Sequence, residues 1–165
     1  MHPPEYWISN LQLLPHPEGG FYKETYRSSE IINLPGLPAR FTAPRNFSTA
    51  IYFLLRSQDK SLFHRIKSDE LWHFHSGSVL KIYVLTDKGL NLLELGNELE
   101  KGQSLQVTIP ANCWFGAKVT SPDTYVLSSC TVAPGFHFND FELADRQALL
   151  NKFPDLQEII NDLTS

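Results

Sequence analysis

Residues 63 to 77 read Phe63-His64-Arg65-Ile66-Lys67-Ser68-Asp69-Glu70-Leu71-Trp72-His73-Phe74-His75-Ser76-Gly77. The pattern on either side of Lys67-Ser68-Asp69 predicts two strands joined by a turn. Side chains on a strand point alternately to opposite faces, so Glu70, Trp72 and Phe74 share one face and Leu71, His73 and His75 the other. His64 sits on the preceding strand, on the face of Leu62 and Ile66, and an antiparallel turn brings it opposite Glu70. His64, Glu70, His73 and His75 fall within twelve positions. Imidazole and carboxylate at that density suit a divalent metal, or a base with its orienting partner. Strand period alone leaves open which face looks inward.

Outward from this segment, residues 47 to 133 form a series of short apolar runs parted by turn signals. Thr49 to Arg56 is apolar almost throughout, as in a strand covered on both faces. Further strands are predicted at Ser61 to Ile66, Glu70 to Ser76, Val79 to Thr86, Asn91 to Leu95, Ser104 to Ile109, Cys113 to Val119 and Tyr125 to Val132. Strands at this spacing mean an all-β sandwich or barrel rather than βαβ units.

Residues 1 to 46 hold a short helix around Tyr6-Trp7-Ile8, stopped by Pro15 and Pro17, then a strand from Phe21 to Arg27 and a long Pro-rich loop. On that strand Tyr22, Glu24 and Tyr26 alternate with Phe21 and Thr25. Residues 139 to 165 read as two helices. Asn139 or Asp140 caps the first, from Phe141 to Phe153, and Pro154-Asp155 opens the second. No linker or internal repeat divides the chain, so a single domain over 1–165 is expected, its helices packed outside the barrel.

The balance of charges bounds the partners. Fourteen Lys and Arg against eighteen Asp and Glu give a net charge of −4, with no basic stripe. That excludes electrostatic binding to nucleic acid or an anionic membrane surface. The apolar runs fall short of a membrane span and the N-terminus lacks the pattern of a secretory leader, so a soluble, cytoplasmic protein is expected. Cys113 and Cys130 form no CxxC pair and are expected reduced in the core. Gly19-Gly20 precedes a strand rather than a helix, and so is no phosphate cradle.

The central segment resembles the first motif of the cupin superfamily, in which a His-x-His pair precedes a Glu and six residues separate that Glu from a Gly. Glu70 and Gly77 match its end, and His64 stands near the second His. Gly102, Pro110 and Asn112 loosely follow the second motif. More closely, the chain resembles the cupin subfamily five, a group of unknown function. The strings carrying this likeness include Pro15-His16-Pro17-Glu18-Gly19-Gly20, Glu24-Thr25-Tyr26-Arg27-Ser28, residues 63–65 and 68–77 quoted above, Trp114-Phe115-Gly116-Ala117, Ala133-Pro134-Gly135-Phe136 and Asp140-Phe141-Glu142-Leu143-Ala144. The resemblance implies a double-stranded β-helix, a jelly-roll-like barrel with peripheral helices, and an interior Glu70 face.

Metal-bearing cupins use three His and one Glu. Here Leu62 and Phe115 stand at two of those positions, and only His64 and Glu70 remain. The resemblance therefore implies a barrel without a metal cofactor. If a divalent metal does bind, His64, Glu70 and an inward-turned His75 are its candidate ligands. Without one, Trp72, Phe74 and Phe115 line an aromatic pocket for a small molecule, with Glu24, Arg27 and His75 as further binding candidates.

Three functions follow. By likeness to the deoxysugar epimerases of the fold, the chain is expected to be a metal-independent isomerase or epimerase acting on a sugar or small carbonyl metabolite. His64 would then be the base, Glu70 its partner and Tyr26 the acid on the other face. The alternatives are a non-catalytic metabolite-binding barrel and a metal-dependent oxygenase or hydrolase. The sequence does not decide between the first two. The fold also implies a homodimer, paired through the N-terminal strand and one sheet face.

Overall fold

The computed structural model describes residues 2–165. Among the described residues, thirteen strands and three α-helices follow one another. Helix α1 (Pro4–Leu11) leads into β1 (Leu14–Pro15), β2 (Phe21–Arg27), β3 (Ile31–Ile32) and β4 (Arg45–Asn46). Next come β5 (Thr49–Arg56), β6 (Lys60–Arg65), β7 (Asp69–Gly77), β8 (Leu80–Thr86) and β9 (Gly89–Leu95). The chain continues through β10 (Gln106–Ile109), β11 (Trp114–Val119), β12 (Tyr125–Ala133) and β13 (Glu142–Leu143), and ends on α2 (Arg146–Lys152) and α3 (Gln157–Asp162).

The strands make two facing sheets. One has the order β1-β2-β5-β12-β7-β10 and the other β13-β6-β11-β8-β9, all neighbours antiparallel; β3 and β4 pair apart from both. Because β6 and β7 lie in different sheets, the Lys67-Ser68-Asp69 turn crosses between them instead of closing a hairpin. His64 and Glu70 thereby face each other across the interior.

Three apolar clusters follow from the strand periods. Between the sheets lie Phe53, Trp72, Ile82 and Phe115 with their neighbours. Outside the second sheet, Phe63 and Leu85 receive Leu149 and Ile160 from the C-terminal helices and Leu163 from the cap of α3. Outside the first, Leu54 and Leu127 are covered by Trp7 and Ile8 of α1. Strand β5 thus feeds Phe53 to one layer and Leu54 to another, which explains its nearly continuous apolar sequence.

The C-terminal segment departs from the sequence reading. Residues 138–140 form a single 3₁₀ turn, and Glu142–Leu143 add to the edge of β6 opposite Arg65 and His64. The helix starts only after Asp145, whose carboxylate accepts from the Ala148 N–H. Pairing with the open edge of β6 outweighs local helical preference over Phe141 to Ala144.

Gly19 ties the turn before β2 to the second sheet. It sits at φ +111°, and a Cβ there would meet the Lys60 carbonyl oxygen at 2.0 Å. Gly102 is also left-handed, at φ +83°, but has open space around it. Gly19→Ala is therefore expected to cost about 2 kcal/mol or more, and Gly102→Ala about 1 kcal/mol, the conformational part alone. Urea unfolding of the two variants checks this; equal losses would contradict the close approach.

Candidate functional site

A cavity of about 550 Å³ lies between the sheets. Its polar centre is assembled from three elements. Strand β6 supplies His64, β7 supplies Glu70 and Trp72, and the turn held by Gly19 inserts Glu18 and His16. Glu18 is buried although it belongs to neither sheet.

Glu18 Oε2 stands 3.0 Å from His64 Nε2, and Glu18 Oε1 accepts from Ser61 Oγ at 2.8 Å. The other imidazole nitrogen, His64 Nδ1, lies 2.7 Å from the Leu62 carbonyl oxygen, which can only accept. Both ring nitrogens thus face acceptors, the environment of an imidazolium. Burial presses the His64 charge down, but the Glu18 charge and hydrogen bond outweigh it and hold the ring above its ordinary range. Burial likewise pushes Glu18 up, yet the His64 charge and hydrogen bond win and keep this carboxylate below its ordinary value. The rings of Phe115 and Phe141 pack against His64 at centroid distances of 4.1 and 5.4 Å and shield the pair from water.

His16 adds a neutral imidazole. Burial lowers it, Glu18 opposes that and the His64 charge adds to it, with a net direction downward. Its Nδ1 accepts from the Glu18 backbone N–H at 3.2 Å.

Glu70 has no such partner. Its carboxyl is buried against the cavity and makes no ion pair among the described residues. Burial pushes it up, the His64 charge pulls it back and the Glu18 charge raises it again, so that it titrates at about 7. The Cys130 thiol and the Trp72 indole N–H both bear on it. The indole approaches Glu70 without completing a well-formed hydrogen bond, and Trp72 Nε1 is the one buried side-chain donor or acceptor without a partner among the described residues.

Several expected site residues lie elsewhere. Strand β2 carries a bulge between Glu24 and Tyr26, pairing Glu24 with Ile51 and Tyr26 with Ala50. The extra residue breaks the alternation, turning Tyr26 outward at 54% exposure and Arg27 into the rim of the cavity. Arg27 is not a free anion clamp: it donates to both Glu24 carboxylate oxygens, to Asn46 Oδ1 and to the Phe136 carbonyl. Phe74 packs into the core without lining the cavity, and Phe115 reaches the site only from behind, through His64 and Trp72. His75 is exposed on the outer sheet face, edge-on to Tyr52, so it touches neither ligand space nor His64. The aromatic wall is built instead by Trp72 and Phe53 with Phe136, Phe138 and Phe141 from the segment after β12.

Among the described residues no group of three or more His, Cys, Asp or Glu side chains is placed to hold a metal ion. His64 has both nitrogens engaged and His75 points away. These donors do not fit a divalent metal. Nor is any helix among the described residues long and apolar enough to cross a membrane.

The family model described as cupin superfamily (DUF985) matches residues 5–144. The chain belongs to this family. A protein of Shewanella oneidensis, SO0799, shares 37% identity with it, with a TM-score of 0.87 over 100% of this chain and 99% of the other. A hypothetical protein from Leishmania major shares 33% identity, with a TM-score of 0.88 over 99% of each chain. The uncharacterized protein YML079W of Saccharomyces cerevisiae is 29% identical over 143 residues, 81% of this chain and 71% of its own. Membership of the cupin family accounts for the two-sheet fold and for an interior Glu70, and leaves the chemistry to the site itself.

The raised Glu70 carboxyl has a signed consequence. It ionises near its ordinary 4.5 in the unfolded chain and near 7 in the fold, so the folded state holds the extra proton between those values. Its contribution to stability therefore falls as pH rises through that window and is fully lost above it. Glu70→Gln removes the penalty. Relative to wild type, that variant is expected to gain about 2 to 3 kcal/mol between about pH 5 and 8. Urea titrations at both pH values check this, and a constant difference would contradict it.

Proposed function

We propose that this cupin is a metal-independent isomerase for a small carbonyl compound or sugar, with Glu70 shuttling the proton. The observation that carries the reading is the buried, unpaired Glu70 carboxyl lining the cavity beside a neutralised Glu18–His64 pair. A carboxyl titrating near neutrality can take a proton in one step and return it in the next.

In this reading Glu70 takes the proton from the carbon next to the carbonyl, and the C–H electron pair moves onto the carbonyl oxygen as an enolate. The same carboxylic acid then returns the proton at the far end of the delocalised intermediate: to the γ carbon of a β,γ-unsaturated carbonyl, whose double bond moves into conjugation, or to the former carbonyl carbon of an α-hydroxy carbonyl, whose hydroxyl proton passes to the enolate oxygen. Atoms and charge balance without a co-reactant. His64, with both nitrogens occupied, holds no lone pair to act as the base; it holds Glu18 in place. Tyr26 faces outward and does not line the cavity, so the acid expected on the opposite face is not supplied by it, which favours isomerisation over epimerisation.

A thermal-shift screen of sugar nucleotides and small carbonyl compounds selects ligands. Proton NMR in deuterated buffer then follows deuterium entering the carbon next to the carbonyl. The expected result is exchange in wild type and in Tyr26→Phe, reduced about 100-fold or more in Glu70→Gln, with the thermal shift retained. Binding without exchange assigns the barrel to metabolite binding instead, and exchange that survives Glu70→Gln removes the carboxyl from the mechanism.

A further inference from the structure

The cavity is rich in aromatic surface and, among the described residues, neither His64 nor Arg27 is an unneutralised cation. His64 is matched by Glu18, and Arg27 by the two oxygens of Glu24. Neither can serve an incoming anion without first breaking a bond it already makes. Glu70 adds either no charge or a negative one. A phosphate or carboxylate entering this space would lose its hydration, find no counter-charge and face three carboxyl groups, a large cost in a buried site.

Two other features say what does fit. Trp72 Nε1 is a buried donor lacking an acceptor, on a ring that lines the cavity and bears on Glu70. Native proteins rarely leave such a group unpaired unless something else satisfies it. Around it stand flat hydrophobic faces: Phe53 lies 5.3 Å edge-on to Trp72, and Phe136 and Phe138 meet at 5.0 Å near the rim. Rings of this kind select planar, weakly polar molecules.

We infer that the ligand is an uncharged, planar, conjugated ring compound bearing a carbonyl, whose oxygen accepts from the Trp72 indole N–H beside Glu70. This deepens the isomerase reading by naming its substrate class and rests on the same cavity. It places sugar nucleotides outside that class, because their phosphates would enter without a partner. A carbonyl held by Trp72 and adjoining Glu70 is the oxygen onto which the enolate electron pair would move.

The test uses three two-ring probes of similar size: neutral coumarin, anionic coumarin-3-carboxylate and cationic N-methylquinolinium. Calorimetry gives their affinities for the full chain. Nitrogen-15 NMR follows the indole N–H signals of Trp7, Trp72 and Trp114, with Trp7→Phe and Trp114→Phe variants assigning Trp72 by elimination. Coumarin is expected to bind at least about tenfold more tightly than its carboxylate and to move the Trp72 signal downfield. Trp72→Phe is expected to weaken it about tenfold. Glu24→Gln, which releases Arg27, is expected to narrow the gap between coumarin and the carboxylate.

Tighter binding of the anion or the cation overturns the inference, as does binding of none of the three or an unmoved Trp72 signal. These outcomes are separate from those of the exchange experiment. Neutral-ring binding without deuterium exchange in any ligand leaves this inference standing and fails the isomerase. Exchange on a phosphorylated ligand does the reverse.

Discussion

The buried Glu18–His64 pair is the interaction on which the interior depends. Removing two charges from water is costly, and such a pair survives only where geometry and further hydrogen bonds compensate both partners. Here Ser61 completes the carboxylate and the Leu62 carbonyl completes the imidazolium. The pair also docks the N-terminal turn onto β6, an attachment that the Gly19 backbone makes sterically feasible. Breaking either partner would leave an uncompensated charge in the core and detach that turn.

Burial first, and then this neutralisation, sets the state of Glu70. Without a nearby cation to spare, the carboxyl keeps its proton to about 7. Had His64 lacked Glu18, its charge would have been free to pair with Glu70 and hold that carboxyl ionised. One pair thus absorbs the site's buried cation and leaves one carboxyl poised, which is the separation of roles that acid–base chemistry at neutral pH requires. The same neutralisation, repeated at the rim between Glu24 and Arg27, makes the cavity inhospitable to anions.

Much of the fold was legible because strands carry a two-residue period. The Glu70 and Trp72 face was assigned inward from that period with the family likeness, and both side chains are buried. The reading failed where the period is interrupted. At Tyr26 a single bulged residue reverses the alternation, an event with no marker in Glu24-Thr25-Tyr26-Arg27. It failed again where function sits on irregular chain. Glu18 and His16 belong to a turn, and Phe136, Phe138 and Phe141 to a loop and its 3₁₀ turn, so no periodicity points them at the barrel. For all but Phe138 their signal was the strings Pro15 to Gly20, Ala133 to Phe136 and Asp140 to Ala144, which carried family likeness without a stated role. Phe115 was expected in the pocket and acts one layer behind it, as the ring against which His64 rests.

The charge state of His64 is the point on which the account turns. Nitrogen-15 NMR of the histidine side chains at about pH 7 reads it directly, since a free imidazole is already largely neutral there. The account predicts that both His64 ring nitrogens are protonated and remain so as the pH rises past its ordinary value. A neutral His64 with one bare nitrogen would contradict it, returning the ring to the role of base and leaving Glu70 without the environment that holds its proton.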